Sequence, residues 1–254
     1  MCLRLNDQVA IVTGGGEGLG SAVAERFALE GAKVVIADVN QKAARETVER
    51  IKAQGHDAVA IKTDISVEAD VIALANQVRE KYSRVDILHN NAGVLFHGKD
   101  AKAHELSADI WDTTMRVNAR GMWLCTKYVL PLMMDHGGAI INLGSPTALN
   151  GTGAGLTAYS ASKGAILGMT AVLANDYASY NIRVNCIIPG TMDTPMNKGF
   201  LTNLANQPKL LARIPLGRFG AGKDVAGLAV FLASSDSAYC TGGFYMADGG
   251  LMAF

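Results

Sequence analysis

Short apolar runs alternating with helical stretches constrain this chain more than any other feature. Val9-Ala10-Ile11-Val12 reads as a β-strand and runs into Thr13-Gly14-Gly15-Gly16-Glu17-Gly18-Leu19-Gly20. Apolar residues at Val23, Ala24, Phe27 and Ala28 follow at helical spacing as far as Gly31, a residue suited to ending a helix. The unit then repeats. Lys33 to Ala37 is a second strand ending on Asp38, and a charged helix from about Gln41 to Gln54 leads to a third strand, Ala58 to Ile61, which delivers Asp64 and Ile65. A helix through Val71, Leu74, Ala75 and Val78 precedes a fourth strand, Val85 to Leu88, which ends in Asn90-Asn91-Ala92-Gly93. One long helix is expected from about Ala108 to Met134, bent or ended by Pro131. Ala139 to Leu143 and Arg183 to Ile188 read as further strands, Val225 to Leu232 as a helix, and Phe244 to Met246 as a last short strand. Such units predict an α/β fold, a three-layer doubly wound parallel sheet of the Rossmann type. No Pro/Ser-rich or charge-dense linker divides residues 1–254, so a single domain is expected.

Ligands on sheets of this kind bind at the carboxyl ends of the strands, where the turns ending in Gly18, Asp38, Asp64 and Gly93 should meet. Strand, glycine turn and helix in that order make a phosphate site physically sensible. Glycines let backbone approach a pyrophosphate, and the N–H groups and positive end of the helix face it. Glycine-rich turns are common, but the flanking strand and helix favour the phosphate reading. Asp38 lies 24 residues after Gly14, near the distance at which a βαβ unit brings a carboxylate to a ribose. It would accept from both ribose hydroxyls and repel a 2′-phosphate, with Glu17 a second negative group nearby. No basic residue follows, since Val39 and Asn40 come next. The pattern predicts NAD rather than NADP; an acid capping the next helix is the plainer alternative.

Tyr159 and Lys163 stand four residues apart in a helical pattern carried by Ala161, Ala165, Ile166 and Met169, so both project from one face. A phenol has a pKa of about 10 and is a poor base at neutral pH. A fixed ammonium beside it should favour the phenolate. Three units of lowering needs roughly 4 kcal/mol, within reach of a lysine and one further positive group at a water-poor site. Taken alone, the pair reads more readily as a surface contact at helical spacing, and context must decide. Asn118 falls mid-helix, where Asn is a poor former, and could be solvated or aimed at a water chain. Ser145 closes the fifth strand on the same rim as the glycine turn.

Together these residues resemble the short-chain dehydrogenases/reductases, in their single-domain branch, over nearly the whole chain. The T-G-x-x-x-G-x-G loop is matched by Thr13 to Gly20, the N-N-A-G turn by Asn90 to Gly93, and the P-G turn with its following Thr by Pro189, Gly190 and Thr194. The family's catalytic Asn, Ser, Tyr and Lys fall on Asn118, Ser145, Tyr159 and Lys163. One departure is visible. Counting back thirteen from Tyr159, the family's usual spacing, lands on Pro146, whereas Ser145 is fourteen back, a one-residue insertion in the glycine-rich loop.

The resemblance implies hydride transfer between nicotinamide and a carbinol carbon, with Tyr159 exchanging the hydroxyl proton. Ser145 would orient the same oxygen, Lys163 would lower the Tyr159 pKa and hold the nicotinamide ribose, and Asn118 would hold a relay water. Cofactor contacts are implied for Gly14, Gly16, Glu17, Gly18, Leu19 and Gly20, and for Asp38 and Val39. Asp64 and Ile65 would flank the adenine, Asn91, Ala92 and Gly93 the ribose, and Pro189, Gly190, Met192 and Thr194 the carboxamide. Residues 191–215 are expected to form a substrate lid carrying Met196, Phe200, Leu201 and Leu204. His97, Asn150 and Lys198 could touch a polar substituent. The expected reaction joins a secondary alcohol and its ketone; a carbonyl reductase, and an NAD-binding sensor of the same fold, are the alternatives. A sugar-nucleotide epimerase or dehydratase shares the Tyr–Lys pair but would need a longer chain.

Composition narrows the partners. Twenty-three basic and twenty-three acidic residues cancel to zero formal charge, which argues against nucleic-acid or anionic-membrane partners. Cys2, Cys125, Cys186 and Cys240 form no C-x-x-C pair and read as reduced, mostly buried thiols, so neither a disulfide framework nor a metal site is expected. The chain reaches Asp7 without an apolar signal core and no run approaches 18 apolar residues, so a cytoplasmic protein is expected. The family commonly forms tetramers, and the apolar tail Gly249 to Phe254 would suit either a subunit contact or local packing.

Overall fold

A computed structural model describes residues 3–151, 155–202 and 207–253. The strands are β1 (Val9–Thr13), β2 (Lys33–Asp38), β3 (Ala58–Lys62), β4 (Ile87–Asn90), β5 (Gly138–Leu143), β6 (Ile182–Pro189) and β7 (Phe244–Ala247). The helices are α1 (Gly18–Leu29), α2 (Gln41–Ala53), α3 (Glu68–Tyr82), α4 (Ala108–Thr114), α5 (Met122–Val129), α6 (Thr157–Asp176), α7 (Lys198–Leu201), α8 (Gln207–Leu211) and α9 (Gly222–Ala233). All strand pairs are parallel, in the order β3-β2-β1-β4-β5-β6-β7. The expected doubly wound, single-domain Rossmann architecture is what forms.

Alternation along each strand builds two cores, one on each face of the sheet. Ala10, Val12, Val34, Ile36 and Ile141 pack with Val23 and Phe27 of α1, Ile51 of α2 and Leu232 of α9. Val9, Ile11, Val35, Leu88 and Ile140 pack with Leu74 and Val78 of α3, Val129 of α5 and Ala174 of α6. With both faces covered, the strands can be apolar throughout, and all five residues of β1 are buried. Strand order reverses between β1 and β4, and register sets Ala37, Thr13, Asn90 and Asn142 in line at that end of the sheet. A crevice therefore opens beyond Thr13 and Asn90.

Two elements differ from expectation. The long helix is interrupted: a π-helical segment, Met115–Gly121, separates α4 from α5, and a 3₁₀ turn, Leu130–Leu132, contains Pro131. Gly121 lets Ile65 pack against this segment, since a Cβ there would lie 2.8 Å from Ile65 Cδ1. β4 starts at Ile87 rather than Val85, because Val85 N–H bonds Leu132 O outside the ladder. The Asp86 carboxylate instead accepts from Val9 N–H at 2.8 Å and ties down the start of β1. Among the described residues no helix is long and apolar enough to cross a membrane. Cys125 and Cys186 are buried free thiols and Cys240 is half-buried; Cys2 and Phe254 lie outside the described residues.

Candidate active site

The crevice is a cavity of about 970 Å³ at the carboxyl ends of the strands. Its floor begins with the glycine turn. Gly14 has φ +63°, and a Cβ there would sit 2.8 Å from Ala92 Cα, so only glycine fits. A Cβ on Gly20 would overlap Gly14 O, so α1 seats directly on the turn. Thr13, buried at the end of β1, accepts from Asn91 N–H and Ala92 N–H on its hydroxyl, both at 3.1 Å. The Asn91 amide donates to Thr13 O and Gly14 O at 3.0 Å. Asn91 therefore braces the turn with its side chain. Asp38 faces the same turn: Oδ2 accepts from Gly16 N–H at 2.9 Å and Oδ1 from Asn40 N–H at 2.8 Å. Glu17 stands at the N-cap of α1 without a side-chain cap bond, leaving the first N–H groups open toward the cavity.

Gly14, Glu17, Gly18, Leu19, Asp38 and Val39 line the cavity, as do Asp64, Ile65, Asn91, Ala92 and Gly93 on one side. Pro189, Gly190, Met192 and Thr194 line the other. Gly16 and Gly20 stand behind the lining and shape the turn. A nicotinamide dinucleotide fits this set: a cradle with no room for Cβ atoms, an uncapped helix start for phosphate and a carboxylate at ribose distance.

Tyr159 and Lys163 share one face of α6 and line the cavity with Ser145. The Lys163 ammonium lies 5.7 Å from the Tyr159 ring centroid and donates to Leu143 O at 2.7 Å. Ser145 caps the 3₁₀ turn Pro146–Ala148, its Oγ accepting from Thr147 N–H at 3.3 Å and lying 3.0 Å from Thr147 Oγ1. Asn118, fully buried in the π segment, bonds Val94 on both sides: Val94 N–H donates to Oδ1 at 2.7 Å, and Nδ2 donates to Val94 O at 3.0 Å. Nδ2 also donates to Ser162 Oγ at 3.0 Å. A Cβ on Gly93 would lie 3.2 Å from Asn118 Oδ1 and 3.8 Å from Lys163 Nζ, so the three residues converge.

Two features bear on how these residues work. Both hydrogens of the Asn118 side-chain amide go to protein partners, and the amide locks the Gly93–Val94 turn to α6. In the protein without nucleotide, burial pushes the Tyr159 phenol up to about 12, opposed by its hydrogen bond with Ser145. Burial also pulls Lys163 down to about 8, with the nearby Cys186 opposing. Desolvation penalises the charged form of each.

Asp100 escaped sequence reasoning. It is buried, and its carboxylate reaches the start of α6, where Leu156 offers no side-chain cap. Oδ1 accepts from Ala158 N–H at 3.1 Å and from Ala101 N–H at 2.9 Å, and Oδ2 from Tyr159 N–H at 2.9 Å. Thr157 Oγ1 adds a bond to Ala101 O at 2.6 Å. The loop after Gly93 thus sets the position of the tyrosine. His97 and Asn150 line the cavity, with His97 Nε2 3.2 Å from Asn197 Oδ1, and Lys198 does not. Met196, Leu210, Leu251 and Met252 supply apolar wall, so part of the C-terminal tail packs locally over the site. Leu201 is buried outside the lining, and the Phe200 side chain and Leu204 lie outside the described residues, as does part of the loop carrying the one-residue insertion.

Comparison with known proteins agrees with this geometry. The family model described as enoyl-(acyl carrier protein) reductase matches residues 14–252. An uncharacterized oxidoreductase of Bacillus subtilis, YxbG, is 42% identical over 99% of this chain and 93% of its own. The 2-(S)-hydroxypropyl-CoM dehydrogenase 3 of Xanthobacter autotrophicus is 36% identical over 100% of both chains. A Beutenbergia cavernae protein assigned as an NAD(P)-dependent gluconate 5-dehydrogenase, solved with NADP at low occupancy, superposes with a TM-score of 0.93 at 31% identity over 100% of both chains. Motifs, topology and relatives converge on one conclusion: the chain belongs to the short-chain dehydrogenase/reductase family, oxidoreductases that bind a nicotinamide dinucleotide.

Proposed function

We propose that the protein is an NAD-linked dehydrogenase interconverting a secondary alcohol and its ketone, with Asn118, Ser145, Tyr159 and Lys163 as its catalytic set. The observation carrying this reading is the convergence of Ser145, Tyr159 and Lys163 in one cavity with the glycine turn and Asp38. NAD, when bound, supplies the hydride acceptor. Tyr159, once ionised, would take the hydroxyl proton at its phenolate oxygen as the hydride leaves the carbinol carbon. Ser145 hydrogen-bonds the substrate oxygen and holds it in line. Lys163 supplies positive charge beside the phenol and holds the nicotinamide ribose, and Asn118 fixes the turn against which both work. Asp38 and Glu17 favour an unphosphorylated ribose. Residues 191–215 serve as the lid.

The exposed Trp111, Trp123 and Val172, on α4, α5 and α6, suit burial against further copies in a cytoplasmic homotetramer. One observation favours a second reading, reduction of a carbonyl: a phenol held up to about 12 is a standing proton donor.

Titration with NAD and NADP, followed by a panel of secondary alcohols read at the NADH absorbance, tests the proposal. Tight NAD binding with turnover supports it, and Tyr159→Phe should then cut turnover by orders of magnitude with NAD affinity nearly intact. Comparable turnover in that variant sinks the assignment. NAD binding with no turnover in either direction points to a sensor.

A further inference from the structure

We infer that Arg213 forms the anion-binding end of the substrate site, so that the preferred alcohol carries a fixed oxyanion group, a carboxylate first among these. The inference rests on the dehydrogenase reading above and narrows its substrate class. The charges lining the cofactor side of the cavity are the acids Glu17, Asp38 and Asp64. Beyond the tyrosine, the lining changes character. Met196, Leu210, Leu251 and Met252 give apolar wall, and Arg213 is the one cation besides Lys163 among the described lining residues.

Among the described residues Arg213 has no counterion. The sequence holds eleven arginines, and eight bond a described side chain or carbonyl; Arg45, Arg116 and Arg213 do not. Of those three, only Arg213 lines this cavity. Asp100, which also lines the cavity, has both oxygens engaged at α6, and Asp248 accepts from Gly250 N–H at 2.9 Å and Met252 N–H at 2.8 Å.

The backbone carrying Arg213 is held firmly, although its side chain bonds none of the described residues. Arg213 N–H bonds Leu210 O at 3.2 Å, Ile214 N–H bonds Leu211 O at 2.9 Å, and Leu216 N–H bonds Gly249 O at 3.1 Å. Ile214 beside it is buried, at 3% exposure, against Gly249. A braced backbone carrying a guanidinium unpaired among the described residues, in a cavity with an apolar wall, is the arrangement that receives a carboxylate or sulfonate in bidentate form.

The test uses the full chain with NADH. Acetoacetate and 4-oxopentanoate, each against its methyl ester, are titrated into the NADH complex by nucleotide fluorescence, with 2-oxopropanesulfonate as a second anion. At least one acid should bind about tenfold tighter than its ester, and Arg213→Gln should erase that ratio while Arg213→Lys keeps part of it. NADH affinity should stay within about twofold. Turnover of the matching hydroxy acids should lose its advantage through KM, with kcat within about threefold. Equal binding of acids and esters, or a ratio unchanged in Arg213→Gln, overturns the inference. Because binding is read without turnover, a protein that binds acids selectively yet oxidises no alcohol refutes the dehydrogenase reading and leaves this one standing.

Discussion

Replacing Asp100 with alanine tests how Tyr159 is held. Its carboxylate accepts three N–H groups, two of them at the start of α6, and one of those belongs to Tyr159 itself. Loss of an N-cap costs about 1–2 kcal/mol. Ala158 is fully buried, so its orphaned N–H adds part of the roughly 1–3 kcal/mol charged for an unsatisfied buried donor. Water entering from the cavity offsets some of this, and a net loss of about 3 kcal/mol follows. At roughly 2–4 °C per kcal/mol for a chain of this size, thermal unfolding should fall by about 6–12 °C. The first turn of α6 then loses its fixed position, and misplacement by about 1 Å can cost up to a hundredfold in rate. Turnover should drop at least tenfold at a temperature where the variant is folded, with NAD affinity within twofold. Thr157→Val is the control: it removes the Thr157–Ala101 bond but leaves the Tyr159 N–H satisfied, so turnover should hold within about threefold. Turnover within twofold of wild type in Asp100→Ala, despite lost stability, would reduce Asp100 to a helix cap. An unchanged melting temperature would refute the capping account itself.

Other consequences follow from the same geometry. Asp38→Ser removes the charge beside the glycine turn and should raise NADP affinity relative to NAD by about tenfold or more, roughly 1.4 kcal/mol, measured by nucleotide titration; an unchanged preference would place the discrimination elsewhere. His89 of β4 is fully buried, with Nδ1 3.1 Å from Ile141 O and Nε2 without a described partner. Burial lowers its pKa from 6.5 to about 4. Between those values the unfolded chain takes up a proton that the folded one refuses, so stability falls as pH drops. Urea unfolding should lose about 2 kcal/mol between pH 7 and 5 through this residue, a slope that His89→Gln should remove.

The Tyr159 result sharpens what the cofactor must contribute. Burial carries the phenol up to about 12 and the lysine down to about 8, so the two residues alone leave the tyrosine protonated at neutral pH. Further positive charge next to the phenol is what would bring it into a working range. The pH dependence of alcohol oxidation should therefore fall on the acid side of the phenol's titration in the protein without nucleotide. Tyrosine ultraviolet difference spectra with and without NAD would measure that displacement.

Hydrophobic periodicity and glycine placement determined the sheet, its winding and the rim on which the site lies, because these depend on residues close together in the chain. Thr13 to Gly20, Asp38, Asn91, Ser145, Tyr159 and Lys163 could be placed from sequence alone, since each follows directly on a strand or shares a helix face. Only the tertiary structure decided how they work. The direction of the Tyr159 shift depends on burial, which sums contributions from α6, β5 and the loop after Gly93. Asn118 became a clamp because the helix breaks into a π segment against Ile65. Asp100 meets Ala158, 58 positions away, and Arg213 shares a cavity with Tyr159 and Leu251, pairings that no local pattern encodes. Burial and pairing are properties of the assembled molecule, and on them the chemistry of this site depends.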